Sequence, residues 1–219
     1  MHYDVQGKVI RSENAAKPVF DVAMPLVHWL RERQETPSAL DYGCGKLRYT
    51  EHLTFRSGGI GICDSRIQLT RAQVVHGKPT TVTDYAKRRW PHCRIHVLEE
   101  FLLNQPRKYH FVLCANVLSA IPSRTVRSKS LRAVRRAMTK GGRVLFVNQH
   151  TNSYFTEIRQ RPSTESHLDG WISETNGHFS YYGILNKDAV VTLATDHGFA
   201  IVEAWIDGQS NYVLAEVVK

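Results

Sequence analysis

Apolar residues are clustered along this chain in two kinds of stretch that take turns. Short apolar runs read as strands: Ala39-Leu40-Asp41-Tyr42, which reads as buried, Gly58-Gly59-Ile60-Gly61-Ile62-Cys63-Asp64, Arg94 to Leu98, Tyr109 to Asn116 and Arg143 to Val147. Amphipathic stretches between them read as helices: from near Arg48 through Leu53, from Asp64 or Ser65 through Leu69, from Val82 to Trp90 closed by Pro91, and from Arg124 to Met138 stopped by Gly141-Gly142. An earlier helix is expected from Val19, with Phe20, Val22, Ala23, Val27 and Trp29-Leu30 on one face and Pro25 kinking or dividing it. At the other end a helix from Asn186 to His197 stops at Gly198. Two strands, Phe199 to Ile206 and Tyr212 to Val218, then flank the turn Asp207 to Asn211 as a hairpin. Residues 148–183 break the rhythm, being polar with scattered aromatics and histidines, and read as a long irregular insertion.

Strand and helix in alternation predict an α/β fold around a largely parallel sheet. At 219 residues the chain holds one substantial domain of this kind. No apolar run reaches membrane-spanning length and the first residues do not read as a signal peptide, so the expected setting is cytoplasmic. Cys44, Cys63, Cys93 and Cys114 lack Cys-x-x-Cys spacing and fall in or beside strands, which argues for buried thiols rather than a disulfide or a zinc site. His92 and His96 are spaced for one helix face, but Ile95 and Val97 make that stretch a strand, and no metal is expected. A formal charge of +9 favours anionic partners in general.

The most informative stretch is Leu40-Asp41-Tyr42-Gly43-Cys44-Gly45-Lys46, a strand that ends on an acid and opens into Gly-x-Gly before a helix. Glycine there permits a sharp turn and close approach of a ligand to the backbone. A dinucleotide fingerprint would need a third glycine where Arg48 stands. The stretch resembles the first motif of the class I S-adenosylmethionine-dependent methyltransferases, Leu-Asp-x-Gly-Cys-Gly. The resemblance extends over residues 38–150 and 184–218: an acid followed by Ser-x-x-x-Leu at Asp64, where the family usually has one more residue before the serine, an acid after the third strand, the Asn116 region after the fourth, Lys-Gly-Gly before the fifth, and the closing hairpin. It implies a Rossmann-like seven-stranded, mostly parallel sheet with a C-terminal antiparallel hairpin and helices on both faces. Within that one domain, residues 1–37 form a helical cover, 38–147 the cofactor-binding core, 148–183 a substrate-recognition insertion and 184–219 the final helix and hairpin.

The resemblance further implies S-adenosylmethionine as cofactor and S-adenosylhomocysteine as product. It places Asp41 and the backbone of Gly43, Cys44 and Gly45 at the methionine portion, Asp64 with Ser65 at the ribose, Glu99 or Glu100 near adenine, and Ala115 with Asn116 at the methionine end. The family often has a glycine where this chain has Leu47. Lys46 and Arg48 are then either partners for the methionine carboxylate or solvated charges at a helix start. Methyl transfer rests on alignment and needs a base only when the nucleophile arrives protonated. His150, Tyr154, His167 and His178 are the candidates for that base or for orienting substrate. The function so implied is direct in-line methyl transfer to a small polar or anionic metabolite. Two alternatives stand beside it. One is an RNA-directed methyltransferase using the basic face of residues 124–138, which carries Arg124, Arg127, Lys129, Arg132, Arg135 and Arg136. The other is a non-catalytic module that only binds the cofactor. Asn116-Val117-Leu118-Ser119 departs from the Asn/Asp-Pro-Pro-Tyr/Phe of base amino-methyltransferases, which speaks against that activity.

Overall fold

The computed structural model describes residues 2–15, 20–104, 108–149, 153–175 and 177–218. The chain begins with a hairpin, β1 (His2–Val5) and β2 (Lys8–Arg11), and a 3-10 turn (Ser12–Ala15), before α1 (Met24–Glu32). The core then runs β3 (Ala39–Tyr42), α2 (Thr50–Thr54), β4 (Ile60–Asp64), α3 (Arg66–Thr70), a small hairpin of β5 (Gln73–Val75) and β6 (Lys78–Thr80), and α4 (Val82–Arg89). It continues through β7 (Arg94–Val97), α5 (Leu98–Leu103), β8 (Tyr109–Ala115), α6 (Arg124–Arg136) and β9 (Met138–Gln149). After α7 (Ser153–Gln160) come β10 (Glu165–His167), β11 (Gly170–Thr175) and β12 (His178–Gly183). The last elements are α8 (Lys187–Asp196), β13 (Phe199–Asp207) and β14 (Ser210–Val217).

Seven strands form the central sheet in the order β13-β14-β9-β8-β3-β4-β7. The pairs β9–β8, β8–β3, β3–β4 and β4–β7 are parallel, whereas β14 runs antiparallel to both β9 and β13. β3, β4 and β8 are continuous apolar runs, as strands covered on both faces must be, whereas β7 at the sheet edge is only partly buried. One face packs Leu40, Val112, Val144 and Phe146 against α6 and α8. The other packs Phe111, Leu113 and Leu145 against Leu26 and Leu30 of α1. From β3 the chain builds outward to β4 and β7, then returns to β8 on the other side of β3. That reversal is a topological switch point, and it opens a crevice at the carboxyl ends of the strands.

A second sheet, β1-β2-β12-β11-β10, joins the N-terminal hairpin to the 148–183 segment. The segment expected to be irregular therefore holds a helix and three strands. Ile172 of β11 and Tyr181 of β12 obtain their core from the N-terminal hairpin, with Tyr3, Ile10, Ile121, Ile172 and Tyr181 buried together. Residues 2–15 accordingly form a hairpin and a short turn where a helical cover was expected. Pro25 lies in the first turn of α1, where its missing N–H is harmless, and does not kink it. The helix α6 ends at Arg136, short of the glycines. Gly141 and Gly142 instead lie inside β9, where the register with β8 jumps from Tyr109↔Met138 to Phe111↔Arg143. No helix of the described residues is long and apolar enough to cross a membrane.

Leu47 holds a φ of 66° while its side chain is fully buried beside Ile62, Leu69 and Val82. The backbone keeps the left-handed conformation that glycine would favour, and the apolar contacts offset its strain of about 1–3 kcal/mol. Leu47→Ala is expected to cost about 2–4 kcal/mol. Leu47→Gly should be at least as stable as Leu47→Ala in urea denaturation, the reverse of the usual order, because only glycine relaxes a positive φ.

Candidate functional site

Gly43, with φ +73°, and Gly45, with φ +56°, turn the chain sharply after β3. A Cβ on Gly43 would lie 2.3 Å from Val117 Cγ2, so the position also needs the absence of a side chain. The turn hangs on β4: the N–H groups of Gly43 and Cys44 donate to Cys63 O at 2.7 and 3.1 Å. Asp64, the last residue of β4, then reaches across. Its Oδ2 accepts from Gly45 N at 2.8 Å and its Oδ1 from Ser65 N at 2.7 Å. Asp41, nearly fully buried, accepts from Thr50 Oγ1 at 2.5 Å.

These groups border one cavity with about 1260 Å³ of space, its open mouth included. Its floor is the turn with Asp41, Asp64, Lys46 and Arg48, and its far side holds Ala115, Asn116 and Gln149 at the ends of β8 and β9. Tyr3, Ser12 and Glu13 from the chain start and Tyr181 and Tyr182 from β12 line it as well. Both acids feel the enclosure. Burial, with the Asp64 charge, pushes the Asp41 carboxyl up to about 7 against the bond from Thr50. Burial raises Asp64 too, opposed by its two backbone N–H donors. Burial and the neighbouring Asp64 and Glu13 charges push the Tyr3 phenol up, which places it in the field of Asp64.

Of the residues expected at a cofactor site, Asp41, Gly43, Cys44, Gly45, Lys46, Arg48, Asp64, Ala115 and Asn116 line this cavity. Arg48 is no loosely solvated charge: its Nη1 donates to Asp21 O at 2.6 Å, and the guanidinium lies 4.6 Å from the Tyr49 ring centroid. Ser65 is buried and caps α3, its hydroxyl accepting from Gln68 N. Glu99 and Glu100 do not line the cavity. Glu99 accepts from Arg66 N at 3.1 Å and Glu100 pairs with the Arg66 guanidinium at 2.6 Å, while the preceding Leu98 borders the cavity.

The catalytic candidates are placed differently. His150 lies outside the described residues, and Tyr154 stands in α7. His167 Nε2 is 2.8 Å from Pro122 O with its ring edge-on to Tyr181, and His178 opens β12 beside Lys8 and Phe179; neither lines the cavity. Sequence reasoning missed Tyr3, Glu13, Gln68 and Tyr181 as cavity residues. The signal for Tyr3, Glu13 and Tyr181 was absent because the N-terminal segment and β12 reach the site only through the second sheet, whereas Gln68 lies in α3 and reaches the turn through its own bond to Gly45 O.

The basic face of α6 is also redistributed. Arg127 is buried, donating from Nε to Ile121 O at 2.8 Å and from Nη2 to Asp169 Oδ1 at 2.8 Å and Tyr181 Oη at 3.1 Å. Its Nη1 also pairs with Asp169, and the Tyr181 hydroxyl donates to the same carboxylate. Arg135 and Arg136 donate to Gly198 O and Leu102 O while staying exposed, as Arg124, Lys129 and Arg132 are, so of the six cations only Arg127 leaves the solvated face. Burial alone would raise the Asp169 carboxyl, but bonds from Arg127 and Tyr181 hold it below the usual range.

No family model matches the chain. A curated relative, the Escherichia coli K12 protein described as uncharacterized protein YmfD, is 36% identical over 213 residues, covering 97% of this chain and 95% of that one. Among solved structures, the chain is similar to a Clostridium acetobutylicum S-adenosylmethionine-dependent methyltransferase, with TM-score 0.63, 12% identity and 91% and 94% of the two chains covered. It is similar to the N-methyltransferase NodS of Bradyrhizobium japonicum with S-adenosylhomocysteine, with TM-score 0.58, 15% identity and coverage of 89% and 85%. A third is the Burkholderia thailandensis 1,6-didemethyltoxoflavin-N1-methyltransferase holding its substrate and S-adenosylhomocysteine, with TM-score 0.60, 14% identity and coverage of 89% and 77%. At these identities the structural likeness establishes the fold.

Two measurements bear on the site's electrostatics. The folded-state value of Asp41 lies above the ordinary 3.8, so the folded protein holds an extra proton between there and about 7, and stability falls as pH rises through that window. Relative to Asp41→Asn, the wild type should lose at most roughly 4 kcal/mol between pH 4 and 8, read by urea denaturation; parallel pH profiles would exclude such a carboxyl. Asp169 has the opposite sign: its stabilisation is present above the ordinary carboxyl value and is lost as pH falls through the depressed one. Asp169→Asn should cost about 3 kcal/mol at pH 7, the low end for a buried pair because Asp169 is partly exposed, since it leaves the Arg127 charge buried without its counterion.

Proposed function

We propose, for a chain that belongs to the same family as Escherichia coli YmfD and has the class I S-adenosylmethionine-dependent methyltransferase fold, that it transfers a methyl group from S-adenosylmethionine directly to a small polar metabolite. The observation that carries the reading is convergence. Asp41, Asp64 and the Gly43–Gly45 turn, contributed by two strands and a loop, border one cavity at the switch point of the sheet.

The residues fit the cofactor. When bound, it supplies a methyl group made electrophilic by a cationic sulfur. Asp41 and Asp64 give the cavity carboxylates whose charged forms a cationic ligand stabilises, and their raised values mark how little else does so. Asp64 uses both oxygens on backbone N–H groups yet retains acceptor capacity for ribose hydroxyls. Lys46 brings a cation to the same floor for the methionine carboxylate, while Arg48 beside it is engaged with Asp21 O and the Tyr49 ring. The turn brings its backbone to the cavity, with the side-chain position of Gly43 taken by Val117, and Leu98 offers an apolar contact where an acid had been expected.

For the transfer itself the chain contributes position and exclusion of water. The second sheet closes over the strand ends, so reactants are held in register inside a cavity rather than on an open face. His167 and His178 stand outside the cavity lining, so the reading assigns them no proton transfer and puts the weight on alignment. The polar side chains near the ends of β8 and β9, Asn116, Ser119 and Gln149, suit a small polar acceptor better than an anion.

The test is ligand-linked unfolding followed by transfer. S-adenosylmethionine and S-adenosylhomocysteine at 100 times Kd should each stabilise the protein by about 2.7 kcal/mol. Asp64→Ala should weaken both at least tenfold, and label from the methyl group should appear in a small-molecule fraction of extract. Unfolding midpoints unmoved by millimolar ligand would refute the reading. Label in the RNA fraction instead would favour the RNA-directed alternative, and tight binding without any transfer the non-catalytic one.

A further inference from the structure

The acceptor half of the cavity, where β8, β9, α7 and β12 meet, differs in character from the floor. Its walls include Tyr49, Phe155, Tyr181 and Tyr182. The Tyr49 hydroxyl accepts from Ala23 N at 3.0 Å, and the Tyr181 hydroxyl is held between Asp169 and Arg127. With their hydroxyls engaged and only 5% and 2% of their surface exposed, Tyr49 and Tyr181 back this wall, and the partly exposed rings of Phe155 and Tyr182 give it its ligand-facing area. The buried Arg127–Asp169 pair fixes the Tyr181 ring, because rotation would break two hydrogen bonds to charged groups. The polar side chains on this side, Asn116, Ser119 and Gln149, are uncharged, and the guanidinium of Arg48 is already committed to Asp21 O and the Tyr49 face.

Asn116 adds direction. It is held in the left-handed region, φ +58°, with its N–H donating to Val147 O at 2.7 Å. Its Oδ1 accepts from Gln149 N at 2.9 Å, which settles the orientation of the amide. The Nδ2 group, without a partner among the described residues, is left to donate to a ligand.

We propose that the acceptor is a planar, uncharged heteroaromatic molecule that stacks on this aromatic wall and takes a hydrogen bond from Asn116 Nδ2 at a rim carbonyl or ring nitrogen. A flat ring gains burial and stacking against such walls. An aliphatic anion would be desolvated there, since the described residues on this side of the cavity include no cation and Lys46 and Arg48 stand on the floor. The proposal rests on the methyltransferase reading and narrows its substrate class; Asn116 acts in it as a positioning residue.

The test is titration of protein saturated with S-adenosylhomocysteine, using 4-quinolone, indole and glutarate as probes. Indole is a flat ring without a rim acceptor, and glutarate is an aliphatic dianion. Both rings should bind, with 4-quinolone at least fivefold tighter than glutarate. Asn116→Asp, which keeps the size but presents no donor, should weaken 4-quinolone at least tenfold and indole less than twofold. A merely structural defect would weaken both alike. Tyr182→Leu should weaken both rings at least fivefold with the S-adenosylhomocysteine Kd within twofold of wild type. Glutarate binding as tightly as the rings, equal losses for both rings in Asn116→Asp, or no ring binding to the saturated protein would each overturn the proposal alone. Failure of S-adenosylhomocysteine to bind would overturn the methyltransferase reading and this proposal with it.

Discussion

One carboxylate ties the architecture to its cavity. Asp64 stands at the end of β4 and accepts from Gly45, a residue past the end of the neighbouring β3, so the turn after β3 is fastened from the side. With Gly43 and Cys44 also donating to Cys63 O, three backbone N–H groups of that turn are held by β4 or its last side chain. This satisfies groups that would otherwise be buried without partners. It also holds a carboxylate in a low-dielectric crevice, which is why the Asp64 value is raised despite two donors. The interaction that shapes the turn therefore also sets the charge that the cavity offers a ligand.

The second sheet complements that arrangement from above. Its strands come from opposite ends of the chain, and the parallel pairing of β2 with β12 is confined to Phe179↔Ile10. Side-chain packing around Ile10, Ile121, Ile172 and Tyr181 supplies most of the attachment, together with the Arg127 bonds to Asp169. Arg71 Nη2 adds a bond to Glu13 O, anchoring the first residues to the end of α3. A cover held by one apolar cluster and a few charged hydrogen bonds is more easily opened than the central sheet, as elements over a binding cavity commonly are.

The central sheet was legible because its evidence is local. Continuous apolar runs of four to seven residues between amphipathic helices leave few topologies for a parallel sheet, and the acids closing β3 and β4 stand where the chain order puts them. Even the departure at Leu47 did not disturb the turn. A buried leucine in a left-handed conformation replaced a glycine's freedom with packing, which a motif comparison cannot anticipate. The cover was not legible. Residues 2–11 and 165–183 pair and pack across more than 150 positions of sequence, and neither has enough apolar surface to declare itself alone. The same distance hid Tyr3, Glu13 and Tyr181, and it made Arg127 look like one cation in a solvated row.

What the sequence determined by itself was the α/β alternation, the glycine turn after an acidic strand end, and the acids at the ends of β3 and β4. Periodicity and turn chemistry depend on neighbours within a few positions. Only the tertiary structure decided which of those acids share a cavity, that Glu99 and Glu100 turn to Arg66 instead, and that aromatic residues from β12 and α7 wall the far side. Those outcomes depend on which distant segments cover which strand ends, and burial and pairing settle that only once the whole chain has closed on itself.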